Sequence, residues 1–229
     1  MIQLYFHPSP NPLKIALYLE ESGLPYALVP IDTRKGEQHT PEFRAINPNA
    51  KTPALVDGGA TVFDSNAILL YLAEKTGQFL PANTPALRAE MLSWLMFVAT
   101  GIGPYCGQAV HFKLFAPEPK EYAVNRYTYE AERHWSLVND RLATREWMVG
   151  DSYTLVDMAV WGWARMVPRM FGPEGFAAIP HVKRHLETIN ARPAAQRAEA
   201  LKERFAFKQD IDADARRQLF PGNARIGAA

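Results

Sequence analysis

A chain of 229 residues, 48% hydrophobic and 21% charged, is long enough to bury a sizeable core in one large or two small domains without covalent staples. Its 25 basic and 24 acidic residues leave a net charge of +1, which gives no electrostatic footing for nucleic acid or an anionic membrane. Apolar runs fall short of the roughly 18 residues a membrane span needs. No basic n-region of a signal peptide is visible, and the single cysteine, Cys106, forbids an internal disulfide, so a cytoplasmic protein is expected.

The first predicted element is a short apolar strand, Ile2 to Phe6. It runs into "HPSPNPLKIALYLEE", where Asn11 is expected to cap a helix and Pro12 to be its first residue. That helix continues through Ile15, Leu17, Tyr18 and Leu19 to a stop at Gly23. Tyr26 to Ile31 predicts a second strand, and Glu42 to Ile46 a short helix closed by Asn47-Pro48. Thr52 to Val56 predicts a third strand, turning at Asp57-Gly58-Gly59 into a hairpin with Thr61 to Phe63. Ser65 is expected to cap a helix over Asn66 to Lys75, with Gly77 past its end. The order β-α-β-α-β-β-α describes an α/β domain of thioredoxin-like size over residues 1–79.

Gln78 to Pro85 reads as a linker, and strand texture ends there. Helices are predicted over Ala86 to Phe115, Glu121 to Ala143, Thr154 to Val167 and Pro180 to Asn190, making an all-α domain over residues 86–200. Gly101, Gly103 and Pro104 should bend the first of them. The third is apolar on nearly every face and should be buried. The polar, charged stretch from about Ala198, including an extension over residues 201–229, reads either as helix or as a loose tail.

Three places offer chemistry. The loop from Pro8 to Pro12 sets Ser9 and Asn11 among three prolines that fix φ, so their donors are ordered in advance at a helix N-terminus. Pro53 stands at a strand start, where an ordinary trans bond would do; a cis bond would turn the Thr52 backbone outward, where a bound peptide could pair with it. Asp64-Ser65 precedes a helix, where Ser65 is either a plain cap or a hydroxyl that binds a carboxylate while Asp64 pairs with an ammonium. The six histidines show no metal-ligand spacing.

The stretches "KTPALVD" and "DSNAILLYLAEKTG", followed by a helical domain, resemble a cytosolic glutathione transferase over roughly residues 1–200. "YTLVDMAVWGW" supports this, since Thr154 and Asp157 have the spacing of the capping box that opens the family's central helix. "YFHPSPNPLKI" and "GIGPYCGQAVHF" most resemble the bacterial nu class, which reduces disulfides with glutathione. The resemblance implies a homodimer with glutathione as co-substrate and no metal.

It also implies roles. Ser9 and Asn11 would hold the glutathione thiolate, while Gln38, Thr52, Pro53, Asp64, Ser65 and Arg126 would bind the rest of the tripeptide. Arg126 would reach across the dimer interface; on its residue type alone it is a surface arginine. Asp64 departs from the Glu more usual in related classes. Tyr105, Gln108, His111 and Phe112 would line the second-substrate pocket, with Cys106 beside them as a small buried hydrophobe. Tyr5 is the rival thiol partner, because other classes place a catalytic tyrosine near the end of the first strand. The expected reaction is thiol–disulfide exchange; the alternatives are conjugation to an electrophile and glutathione binding without catalysis.

Overall fold

The structure, a computed structural model, describes residues 1–118 and 120–225. The chain forms two compact units, Met1–Ile68 with the stretch from Arg197 onward, and Leu69–Gln196.

In the first unit, β1 (Ile2–Phe6) lies between β2 (Tyr26–Pro30), parallel to it, and β3 (Ala54–Asp57), antiparallel, with β4 (Ala60–Phe63) beyond. Alternate residues of β1, Ile2, Leu4 and Phe6, are buried, which is the period-2 pattern of a strand with one face on the core. The helix α1 (Pro10–Ser22) is buried along Pro12 to Leu19. It ends at Gly23, whose φ of 69° lets its N–H close onto the Leu19 carbonyl. A short helix, α2 (Pro41–Ile46), is capped by the Thr40 hydroxyl, which accepts from the Phe43 N–H.

Two caps stand one or two positions earlier than the sequence predicts. Ser9, not Asn11, occupies the N-cap of α1, and Pro10 opens the helix. N–H groups in a first turn have no partner within the helix, so Pro10 and Pro12 both fit there and the helix starts at the earlier proline. The helix α3 (Ser65–Thr76) is capped by Asp64 and not by Ser65. The Asp64 Oδ1 accepts from the Asn66 and Ala67 N–H groups at 2.9 and 3.1 Å. Asp64 holds φ at 71°, a left-handed conformation that Asp tolerates better than most residues.

The C-terminal stretch packs on this unit as a run of short helices with fixed contacts, which decides between the two readings of the sequence. These are α10 (Pro193–Ala200), a 3₁₀ turn at Leu201–Arg204, α11 (Ala213–Leu219) and a second 3₁₀ turn at Pro221–Arg225. Arg197 donates to the Glu20 carboxylate at 2.7 Å and to the Glu20 carbonyl at 2.9 Å. The Lys208 N–H donates to Asp32 at 2.7 Å, and the Arg34 guanidinium donates to the Lys208 carbonyl at 2.8 Å and to that of Gln209. Phe207 sets its ring against Phe6 and edge-on to His7.

The second unit is helical. The predicted first long helix is α4 (Pro85–Phe97), a π-turn over Val98–Ile102, and α5 (Gly103–Leu114). The π-turn lies at a close approach: a Cβ on Gly101 would overlap the imidazole of His134, which lies on α6 (Glu121–Leu142) and packs on the rings of Phe97 and Tyr105. Every residue of α7 (Leu155–Ala164) is buried. Its capping box is formed, and the Asp157 carboxylate accepts from the Thr154 N–H and hydroxyl, the Met148 N–H and His185 Nε2, all within 2.9 Å. A five-residue α8 (Val167–Phe171) and α9 (Pro180–Asn190) complete the unit.

Candidate functional site

Strand register gathers the candidate residues of the first unit. Phe6 pairs with Pro30, Tyr5 with Ala54, and Ala54 with Phe63. The end of β1, the end of β2, the start of β3 and the end of β4 therefore share one edge of the sheet. From that edge leave the Ser9–Asn11 loop, the segment carrying Gln38, the Thr52–Pro53 approach and the Asp64–Ser65 corner.

Ser9 is half-buried, with extended backbone (φ −132°, ψ 166°), and its side chain makes no capping bond to the helix it opens. Asn11 is half-buried in the first turn of α1. The N-terminus of α1 thus presents a hydroxyl and an amide beside the Asn11 backbone N–H, since Pro10 and Pro12 have none and the Leu13 N–H donates to the Ser9 carbonyl; these are neutral donors suited to an anion. The Thr52–Pro53 bond is cis, Pro53 is buried, and β3 begins only after it. Ser65 is 3% exposed, and its Oγ accepts from Lys14 Nζ at 3.4 Å. Because Asp64 caps α3, the Ser65 hydroxyl is not used for capping.

Two residues sit differently from a plain ligand-facing role. Gln38, in a 3₁₀ turn, is only 4% exposed, and its amide donates to the carbonyls of Thr33 and Gln218, each at 3.1 Å. His39 donates to the same Gln218 carbonyl at 2.8 Å. The C-terminal stretch thus holds the loop that carries Gln38. Tyr5 packs its ring on Phe43, centroids 5.7 Å apart, against a core cluster of Ile31, Phe43 and Ala54.

The remaining candidates belong to the second unit. Tyr105, Gln108 and Phe112 follow helical spacing on α5, so they share a face; Phe112 stacks on Tyr127 at 5.4 Å and Tyr105 leans on the same ring. His111 is half-buried with its ring edge-on to Phe112, and burial pushes its pKa below the usual histidine value. Cys106 is buried. Arg126 pairs with Glu130 at 2.9 Å on its own helix. Arg133 also binds Glu130, and its hydrogen bond holds that carboxyl below the usual range.

Sequence reasoning passed over two residues of the first unit. His7 is buried, and its Nδ1 donates to the Ile31 carbonyl at 3.1 Å. Burial lowers its pKa; the Ile31 bond and nearby Asp32 and Glu37 pull it back up, while Arg34 adds to the lowering. Lys14 is the other, and its signal was present: it is the one charge in the apolar run "PLKIALYL", a turn past Asn11.

The N-terminal domain of glutathione S-transferase matches residues 8–75, and the C-terminal domain of the same family matches residues 94–193. The chain belongs to the glutathione S-transferase family. Among the relatives of this glutathione S-transferase is the disulfide-bond oxidoreductase YfcG of Escherichia coli, 44% identical over 86% of this chain and 94% of that protein. The structure of a family member from Pseudomonas fluorescens with two glutathione bound is 40% identical, with a TM-score of 0.80 over 86% of this chain and 92% of that one. A glutathione transferase from Pseudomonas putida, with one glutathione disulfide bound per subunit, is 35% identical, with a TM-score of 0.81 over 86% of this chain and 90% of that one. Among the described residues no group of three or more His, Cys, Asp or Glu is placed to hold a metal ion, and no helix is long and apolar enough to cross a membrane.

Proposed function

We propose that this protein reduces small disulfides with glutathione, holding the glutathione thiolate at Ser9 and Asn11. The chain is a glutathione-dependent enzyme of its family, and the observation that carries the finer reading is the N-terminus of α1. There a serine hydroxyl occupies the cap position without capping, next to an asparagine, in a loop stiffened by prolines. A free thiol has a pKa of about 8.5, and lowering it by about two units takes about 2.7 kcal/mol of preference for the thiolate. Charge-assisted hydrogen bonds of about 1.5–3 kcal/mol each are the right size. Likeness to YfcG over nearly its whole length supports disulfide chemistry.

In the reaction the bound thiolate attacks one sulfur of the substrate disulfide. The S–S bond breaks, a mixed disulfide with glutathione forms, and the other sulfur leaves as a thiolate that takes up a proton. A second glutathione thiolate attacks the glutathione sulfur of the mixed disulfide. Glutathione disulfide and the second substrate thiol leave, so two glutathiones are oxidised as one disulfide is reduced. No protein thiol enters, which suits a chain whose lone Cys106 is buried.

The tripeptide would lie along the gathered sheet edge. Its cysteinyl backbone would pair with Thr52 beside Pro53, and its γ-glutamyl end would meet Ser65 and Asp64, whose Oδ1 already binds α3. Gln38 would serve the glycyl end by exchanging one of its bonds to the Thr33 and Gln218 carbonyls for the ligand, and Arg126 would contribute from the second protomer of a homodimer. Tyr105, Gln108, His111 and Phe112 would form the wall for the disulfide. We read the enzyme as nu-class and cytoplasmic.

Steady-state turnover of a small disulfide tests the assignment. Activity lost in Ser9→Ala and Asn11→Ala, and kept in Tyr5→Phe and Cys106→Ser, supports it. Turnover only of alkyl or aryl halides, lost in Tyr5→Phe, would establish conjugation instead, and glutathione binding without turnover would leave a binding module.

A further inference from the structure

The buried stretch of α1, Pro12 to Leu19, contains one charged side chain, Lys14, which is 1% exposed. An ammonium has donors and no acceptor, so at its contact with Lys14 the Ser65 oxygen accepts. The Ser65 proton must then point to another acceptor. Asp64 has taken over the capping of α3, so the Ser65 oxygen is not drawn to a backbone N–H and its O–H can be aimed at a ligand. Asn11 lies one turn before Lys14 on the same face of α1. The ammonium therefore sits between the first turn of α1, assigned to the sulfur, and the start of α3, assigned to the γ-glutamyl end. A charge so far from water is weakly screened and acts strongly on an anion nearby.

We propose that Lys14 is a positioning residue for the ligand's γ-glutamyl α-carboxylate: it locks the Ser65 hydroxyl as a donor toward that carboxylate and places a positive charge behind it. The inference rests on the reading of Ser65 as a glutathione contact. A lysine that merely tied α1 to α3 would support every ligand equally, and that difference is measurable.

Calorimetric titration should compare the unaltered protein, Lys14→Met and Lys14→Arg. The two ligands are glutathione and its analogue with a 4-aminobutyryl group in place of γ-glutamyl, which keeps the amine and lacks the α-carboxylate. Lys14→Met should weaken glutathione binding about tenfold or more while leaving the analogue within about twofold, and Lys14→Arg should restore part of the difference. Equal losses for both ligands, or full glutathione affinity in a folded Lys14→Met, would overturn the assignment. If the unaltered protein already binds both ligands alike, the reading of Ser65 fails first and takes Lys14 with it. Should Lys14→Met not fold, the ¹⁵N resonance of the Lys14 ammonium in the unaltered protein decides: it should move on adding glutathione and stay with the analogue, and an unmoved resonance in both cases refutes the role.

Discussion

Ser9 and Asn11 stand two residues apart with Pro10 between them, and their value lies in being fixed before a ligand arrives. Removing one such donor typically costs about 10²–10³ in rate. Ser9→Ala should therefore lower kcat/KM for a small disulfide by about 10²-fold without moving the thermal midpoint, and should raise the pKa of bound glutathione, read by thiolate absorbance. His7, directly before the loop, makes a prediction about pH. Its folded-state pKa lies below the unfolded value of about 6.5. Above that pH both states are neutral and His7 contributes nothing. As pH falls the unfolded chain takes the proton first, so stability drops from about pH 6.5 downward until the folded pKa is passed. The loss of thermal midpoint between pH 7.5 and 5.5 should accordingly shrink in His7→Gln. At this scale the sequence was legible in residue type and spacing but not in which neighbour caps. Ser9 and Asn11 compete at one helix, Asp64 and Ser65 at another, and a two-residue choice between good caps is settled by packing.

The helices of the second unit were legible because their signals are local. The apolar faces of α7, the Thr154–Asp157 spacing, and the glycines at the π-turn could all be read from a few consecutive residues. Each also carries a stability prediction. Asp157→Ala would strand four buried donors and should cost about 2–4 kcal/mol in denaturant unfolding. Gly101→Ala would drive a methyl into the His134 imidazole and should cost about 1–3 kcal/mol by the same measurement. What the sequence concealed here was the reason for Gly101: the interruption of the helix is visible in composition, but the ring that excludes a side chain there lies a helix away on α6.

Across the molecule the C-terminal stretch was the least legible, because its partners are remote. The Lys208 bond to Asp32 spans 176 residues and that of Gln38 to Gln218 spans 180, so no local pattern announces them. Cutting the chain after Arg204 would remove the C-terminal partners of Asp32, Arg34, Gln38 and His39 at once. Amides of residues 32–39 should then exchange hydrogen much faster than in the intact protein, while those of α7 keep their protection. The same remoteness fixes an order of events at the ribosome. The strands and both helix starts are made before the residues that shut the loop around Gln38, one of which follows it by 180 positions. In a nascent chain the loop around Gln38 therefore stays uncovered until the stretch from Lys208 to Gln218 has been made and has folded against it.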